Sequence, residues 1–295
     1  MTLTVKAPAK INLHLHVTGK RQNGFHELDS LVCFADIGDD ISFEPSRSLQ
    51  FEVTGEFAHL LSGDDLSISR ESNNSVIRAA FLIADKAQRD LDVKITLQKN
   101  LPAGSGIGGG SADAAATLKG LAEFWNLEIG DEEIHAMAEK IGSDVPVCLQ
   151  SKPVIMQGIG EIIFTAPNLP AMPAVLIWPN QHASTPLVYK NFSADLFSPG
   201  ISFDRHYKNI RDIAEDLKTR TWNDLELAAI KLFPSIGQAE DILANANGCL
   251  LSRMSGSGST VFGLFEDENQ AIAAAKHISQ AHPDWWVRPC LLNSV

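Results

Sequence analysis

The segment Leu101-Pro-Ala-Gly-Ser-Gly-Ile-Gly-Gly-Gly-Ser-Ala-Asp113 constrains this chain more than any other stretch. It follows a β-branched run at residues 93–97 and precedes an apolar pattern of helical spacing. A turn needs one or two glycines, and each further one costs conformational entropy on folding. Here there are five: Gly104, Gly106, Gly108, Gly109 and Gly110. Such a backbone can approach a ligand closely and aim several N–H groups one way. The helix after it adds unpaired N–H donors and the positive end of its dipole, and Ser111 adds a hydroxyl. Together these make an anion site suited to phosphates. The competing reading is a flexible turn with Ser111 as the helix cap. Gly104, Gly106 and Gly109 satisfy G-x-G-x-x-G, but Pro102 and the long lead-in fit a dinucleotide fold poorly. No Gly-Lys step followed by Ser or Thr occurs in it, so it is not a Walker loop either.

Charge sharpens that reading. Asp and Glu total 36 against 24 Lys and Arg, a formal net charge of -12. No basic surplus exists for a nucleic-acid backbone, so a phosphate must be held by a local arrangement of amides. The four cysteines, Cys33, Cys148, Cys249 and Cys290, are scattered without a Cys-x-x-Cys pair. Neither a disulfide framework nor a zinc site is indicated, and a reducing cytosol fits. The N-terminal segment lacks the apolar block of a signal peptide, and no run approaches the ~18 apolar residues of a membrane span. A soluble cytoplasmic protein with no membrane partner is expected.

Periodicity supplies the elements. Ile11, Leu13, Leu15 and Val17 alternate with Lys10, Asn12, His14 and His16, the pattern of a strand with one apolar face. His14 and His16 then read as the wet face, while Lys10 and Asn12 project together. Further strands are expected at residues 28–43, 50–53, 93–97, 175–178, 249–254, 260–265 and 285–289. Helices are expected at 74–86, from Ser111 onward, 131–141 with Asp131 as cap and Gly142 as stop, 211–218, 224–232, 235–246 and 271–280. Trp285 and Trp286 read as core. Residues 151–173, richer in Pro and Gly, read as hairpin-like and as the domain boundary. Strands and helices mix throughout, so the class is α+β or two-layer α/β, with domains at 1–155 and 156–295. Gly142-Ser-Asp-Val-Pro146 places Asp144 where a helix cap belongs, and residues 254–260 form a second glycine-serine turn between two strands. The segment 193–208 gives no pattern that decides its order.

Taken together, these pieces resemble the GHMP kinases, which transfer phosphate from ATP to small-molecule alcohols. Pro8-Ala-Lys-Ile-Asn12, the loop from Pro102 and the Ser255-Gly-Ser-Gly258 turn are similar to that family's three signature motifs, in order. Gly24-Phe-His26, Asn74 before Arg78-Ala-Ala80, Gly142-Ser-Asp-Val-Pro146, Gly158-Ile-Gly-Glu161 and Asn223-Asp-Leu-Glu226 narrow the likeness to a branch whose substrate carries a cytidine diphosphate. The likeness spans nearly the whole chain.

The resemblance implies a ribosomal-S5-like N-terminal domain, a ferredoxin-like C-terminal domain and an active site in the cleft between them. It implies Lys10 and Asp144 as the catalytic pair. ATP phosphates are implied on Pro102, Gly104, Ser105, Gly106, Gly108, Gly109, Gly110 and Ser111, with adenine near Asn74 and Lys99. Asn12, Phe25, His26, Thr185 and Tyr189 match substrate positions, and Gly256, Ser257 and Gly258 form the glycine-serine turn. Phe25 stands where tyrosine is common, keeping the stacking face without the hydroxyl, and Ser75 replaces a usual leucine. Mg²⁺ is implied by ATP, with unknown ligands and Ser111 the one candidate. The partner is a small molecule, and the protein is a monomer or a homodimer. Competing readings are another GHMP kinase of homoserine or mevalonate type, or a nucleotide-binding module without chemistry.

Overall fold

The computed structural model describes residues 2–194, 196–203 and 206–294. Of the segment 193–208, Asp195, Asp204 and Arg205 lie outside those residues; Phe203 and Tyr207 within it are buried. The chain divides into two compact units. Unit one is Met1–Ala9, Gly38–Ala103 and Gly108–Gln150; unit two is Lys10–Ile37, Gly104–Ile107 and Ser151–Val295. The division falls inside strands β1 (Leu3–Asn12) and β3 (His26–Pro45), on either side of the short β2 (His16–Lys20).

In unit one, β4 (Gln50–Thr54) follows β3, then α1 (Ser75–Ala87) and β5 (Val93–Gln98). β5 runs antiparallel to residues 40–45 of β3 and parallel to β4. Val93, Ile95 and Leu97 are buried and the residues between them less so, as alternation requires. Asn74 caps α1, its side chain accepting the Val76 N–H at 2.9 Å. α2 (Gly109–Phe124) is rich in alanine and buries Ala112, Ala114, Ala115, Leu118 and Leu121. At Gly120 a Cβ would meet Val5 at 2.7 Å and run into the Phe43 ring, so the helix lies close on the sheet. α3 (Asp131–Ile141) ends at Gly142 and leads to the short α4 (Val145–Gln150). One expected cap is corrected: Gly130 caps α3, leaving Asp131 inside it. At α2 Gly108, with φ 65°, precedes the helix and makes Ser111 a first-turn residue, against the competing reading of it as the cap. Glycine takes both positions because the chain enters each helix without needing a side-chain acceptor; at α3 the Glu133 carboxylate reaches back to the Gly130 N–H at 3.4 Å.

In unit two, β6 (Val154–Gly158) and β7 (Ile162–Thr165) form the expected hairpin, and β6 and β2 pair antiparallel with the first part of β3. The remaining elements are β8 (Met172–Trp178), α5 (Thr185–Asn191), α6 (Ile210–Arg220), α7 (Glu226–Leu232), α8 (Pro234–Ala244), β9 (Cys249–Met254), β10 (Val261–Phe265), α9 (Glu268–Ala281) and β11 (Trp286–Leu292). β11, β8, β10 and β9 lie side by side and antiparallel. All seven residues of β8 are buried, as suits an interior strand covered by helices. Val175, Ile177, Val261, Phe265, Ile236, Ala239, Leu243 and Ile278 join sheet and helices in one apolar core. Trp286 is buried, as expected of a core residue. No helix among the described residues is long and apolar enough to cross a membrane.

The expected wet strand face is corrected. β1 stops at Asn12, and His14 and His16 are both fully buried. His14 Nε2 bonds Asp29 at 2.9 Å while its Nδ1 accepts the Leu31 N–H at 3.1 Å. His16 Nδ1 donates to the Pro199 carbonyl, and Nε2 accepts the Trp222 N–H. Pro199, Phe203 and Trp222 cover this face, so alternation here separates two buried surfaces.

Candidate active site

The glycine loop is shared between the units, and each part has its own supports. In unit two, residues 104–107 lie against the glycine-serine turn. The Thr260 N–H donates to Ser105 O and the Lys10 N–H to Ile107 O, both at 2.9 Å; the Ser255 hydroxyl donates to Gly106 O at 3.2 Å. Gly106 has φ +82°, and a Cβ there would meet Gly258 O at 2.5 Å and Ser255 O at 2.8 Å. Its close approach is to the chain's own backbone. At Gly104 (φ +64°) the His182 ring occupies the space a Cβ would need. Two of the five loop glycines, Gly104 and Gly106, thus have a reason to be glycine in the packing of the fold itself.

Asn12 joins this hub. Its N–H donates to Ser255 Oγ at 3.1 Å, its Nδ2 to Ser30 Oγ at 2.8 Å, and its buried Oδ1 has no partner. Asn223-Asp-Leu-Glu226, which carried part of the resemblance without a role, proves to hold the turn. Asn223 Nδ2 donates to the carbonyls of Met254 and Gly256 at 2.8 Å each, and Glu226 accepts the Met254 N–H at 2.8 Å. Arg253 ties the same region to the N-terminal segment through the carbonyls of Leu13 and Thr221, both at 2.7 Å. Burial lowers this guanidinium to about 10, and backbone carbonyls and the Thr221 hydroxyl, rather than a carboxylate, are the hydrogen-bond partners it reaches.

The expected substrate residues in unit two form contacts of their own. His26 stacks on Tyr189, ring centroids 5.1 Å apart, with Phe192 edge-on at 5.8 Å. Burial, then nearby Lys20, lowers the His26 pKa and keeps the imidazole neutral at neutral pH. Phe25 is 58% exposed beside it in the chain. The hydroxyls of Thr185 and Ser257 are 2.7 Å apart, so α5 touches the glycine-serine turn. Arg21 reaches Glu161 at 2.7 Å, linking the β2–β3 and β6–β7 turns.

Unit one carries Pro102, Gly108, Gly109, Gly110, Ser111, Asn74, Lys99 and Asp144. The Ser75 hydroxyl donates to Gly110 O at 2.6 Å, so the serine in place of leucine has a defined bond to the loop. Asp144 directly precedes α4; its carbonyl accepts the Cys148 N–H at 3.2 Å and the residue is half-buried. Asn74 has a side chain fully engaged, capping α1 and donating to Asp65 O at 2.9 Å. Lys99 departs from expectation. Its ammonium is buried between Asp39 and Asp113, 2.9 Å from the latter, so it is not presented to an adenine ring. Sequence reasoning passed over both carboxylates. The available signals were an acidic residue inside an otherwise alanine helix face and an acidic pair within a strand.

Residues 74–152 match the family model for the GHMP kinases N terminal domain and residues 202–284 that for GHMP kinases C terminal. The chain belongs to the GHMP kinase family, with that family's mixed α+β fold, and its members use ATP. Within the family it is 43% identical to the 4-diphosphocytidyl-2-C-methyl-D-erythritol kinase of Paramagnetospirillum magneticum, across 99% of each chain. A crystal structure of 4-(cytidine 5'-diphospho)-2C-methyl-D-erythritol kinase matches with a TM-score of 0.82 and 32% identity, covering 99% of this chain and all of that one. Homoserine kinase from Cytophaga hutchinsonii shares the fold at a TM-score of 0.70 and 16% identity, over 98% and 94% of the two chains.

Proposed function

We infer that this protein transfers the γ-phosphoryl group of ATP to the 2-hydroxyl of 4-diphosphocytidyl-2-C-methyl-D-erythritol, giving the 2-phosphate and ADP in non-mevalonate isoprenoid biosynthesis. One observation carries the substrate side of this reading. The unit that holds residues 104–107 of the loop also holds Asn12, with its unpartnered Oδ1, and a neutral His26 backed by Tyr189. A neutral imidazole offers one donor and one acceptor to the edge of a cytosine, and exposed Phe25 offers a face for stacking. A homoserine or mevalonate kinase has no base to read, and a module without chemistry has no use for Lys10 and Asp144.

The roles follow from chemistry. The N–H groups of the loop and of the first turn of α2 hold the triphosphate, which suits a chain of net charge -12. Asp144 takes the proton of the 2-hydroxyl as that oxygen attacks the γ-phosphorus in line and the bond to ADP breaks. The Lys10 ammonium offsets charge on the phosphoryl oxygens. Mg²⁺, bound with ATP, supplies further neutralisation of the phosphates. Among the described residues no group of three or more His, Cys, Asp and Glu could hold a metal, and the Ser111 hydroxyl remains the chain's own candidate contact. We place the reaction in the cytosol, where the four free thiols stay reduced. Residues 1–155 would serve the nucleotide and catalysis, residues 156–295 the alcohol.

An ADP-release assay with a panel of alcohols tests the function. Turnover on the cytidyl substrate and none on homoserine or mevalonate is expected, and turnover on homoserine alone would transfer the assignment. Asp144→Asn should lower kcat by roughly 10²–10⁴-fold while ATP still binds by calorimetry. Near-normal turnover in that variant would remove Asp144 from the mechanism.

A further inference from the structure

Beneath the start of α2 lies a group of ionisable side chains that the mechanism does not use. Lys99, Asp39 and Asp113 are each at most 3% exposed. Lys99 donates to both carboxyls. Asp39 Oδ1 accepts the backbone N–H groups of Asn100 at 2.6 Å and Leu101 at 2.8 Å, the two residues leading into the glycine loop. Asp113 belongs to α2, and the Lys99 ammonium lies 3.1 Å from the point where Gly109 would carry a Cβ. One buried ammonium therefore fixes the entry of the loop through Asp39 and its exit through Asp113.

The charge of this cluster is the second point. Two ionised carboxylates beside one ammonium would leave a net negative charge, buried behind the helix end offered to the phosphates. Asp113 Oδ2 accepts from the Lys99 ammonium at 2.9 Å, while its buried Oδ1 has no hydrogen-bond partner among the described residues, so charge on this carboxyl is poorly compensated. Asp39, by contrast, accepts two backbone N–H groups and the ammonium, so the proton belongs on Asp113. We propose that Lys99, Asp39 and Asp113 form a clamp that positions the phosphate loop, and that a proton held on Asp113 is needed for full affinity toward the ATP phosphates. In this role the three are positioning residues, acting on the phosphates through the loop they hold.

Burial, with Asp39 adding to it against the pull of Lys99, pushes Asp113 up to about 8, which is consistent with a proton retained at neutral pH. Burial opposes charge on Lys99, but Asp113 and Asp39 together outweigh it and raise its pKa. Asp40 of β3 adjoins the cluster through the Asn100 amide at 3.2 Å, and the neutral Ser75 hydroxyl of α1 reaches Gly110 beside it. Because an anionic ligand favours the less negative clamp, ATP binding and the Asp113 proton stabilise one another.

The inference rests on the reading that ATP phosphates lie on this loop, and it is tested with ATP alone. Calorimetry in buffers of different ionisation heat, near pH 8, should report uptake of a fraction of a proton. KM for ATP should rise roughly three- to tenfold between about pH 7.5 and about pH 9, with little change in KM for the alcohol. Asp113→Asn, a neutral isostere, should abolish the uptake and flatten that rise. Asp39→Asn should raise KM for ATP about tenfold or more, with a smaller effect on kcat; if it fails to fold, the Asp113→Asn comparison still decides. Equal pH dependence in the wild type and Asp113→Asn would overturn the proposal, as would the absence of proton uptake in the wild type. A wrong substrate assignment would leave ATP binding and its proton uptake intact.

Discussion

Residues 104–107 are held by neutral hydrogen bonds from the backbone of Lys10 and Thr260 and the hydroxyl of Ser255, whereas residues 99–101 and 113 are held by an ammonium between two buried carboxyls. The first kind of support is divisible, since each bond contributes about 1 kcal/mol and does not titrate in the ordinary range. The second stands or falls as a unit, because removing one charge leaves the others buried without compensation. The middle of the loop is thus held without regard to pH, while its entry and its exit both respond to it.

Deleting a charge should show the largest difference. Lys99→Met leaves two carboxyls buried without their counter-ion and should cost about 3–5 kcal/mol in denaturant unfolding. A loss no greater than that of a single neutral bond would break the contrast. Gly106→Ala comes next, because it combines an unfavourable positive φ with overlap against two carbonyl oxygens at 2.5 and 2.8 Å. A destabilisation of about 2–4 kcal/mol is expected. Ser255→Ala removes one hydroxyl from the neutral side and should cost about 1 kcal/mol, with no change in the pH profile.

The finest discrimination is a slope. The folded-state pKa of Asp113 lies above its unfolded value, so the stability it contributes is complete at acid pH and is lost as pH rises toward about 8. Glu240, raised by burial and by Glu226 to about 7, and His14, lowered from 6.5 chiefly by burial, have largely titrated below that point. Between about pH 7 and 8, unfolding free energy should therefore fall in the wild type and fall less in Asp113→Asn. Parallel slopes would place the proton elsewhere.

Much of this was legible in the chain itself. Alternation at residues 93–97 and helical spacing at 118–125 and 134–141 depend only on near neighbours, and β5, α2 and α3 form where those patterns lie. β2 and α5 went unread because one is five residues long and interrupted by Gly19, and the other has seven residues and a single buried apolar one. The burial of His14 and His16 could not be read locally, since their cover comes from Asp29, Pro199, Phe203 and Trp222. The glycine loop was recognisable as a special backbone, but its reasons were divided between a ligand and the turn at 255–258. Asp39 and Asp113 looked like ordinary acids, because only the fold brings them to Lys99.

Asn12 and Leu13 are bonded to Ser255 and Arg253, partners 243 and 240 residues further along the chain. During synthesis at about 5–20 residues per second, this first-made strand end would wait roughly 10–50 s for those contacts. Closure of the loop's neutral support is then among the last events of folding, and a nascent or truncated chain lacking its final 45 residues would carry Lys10 without a formed place to work.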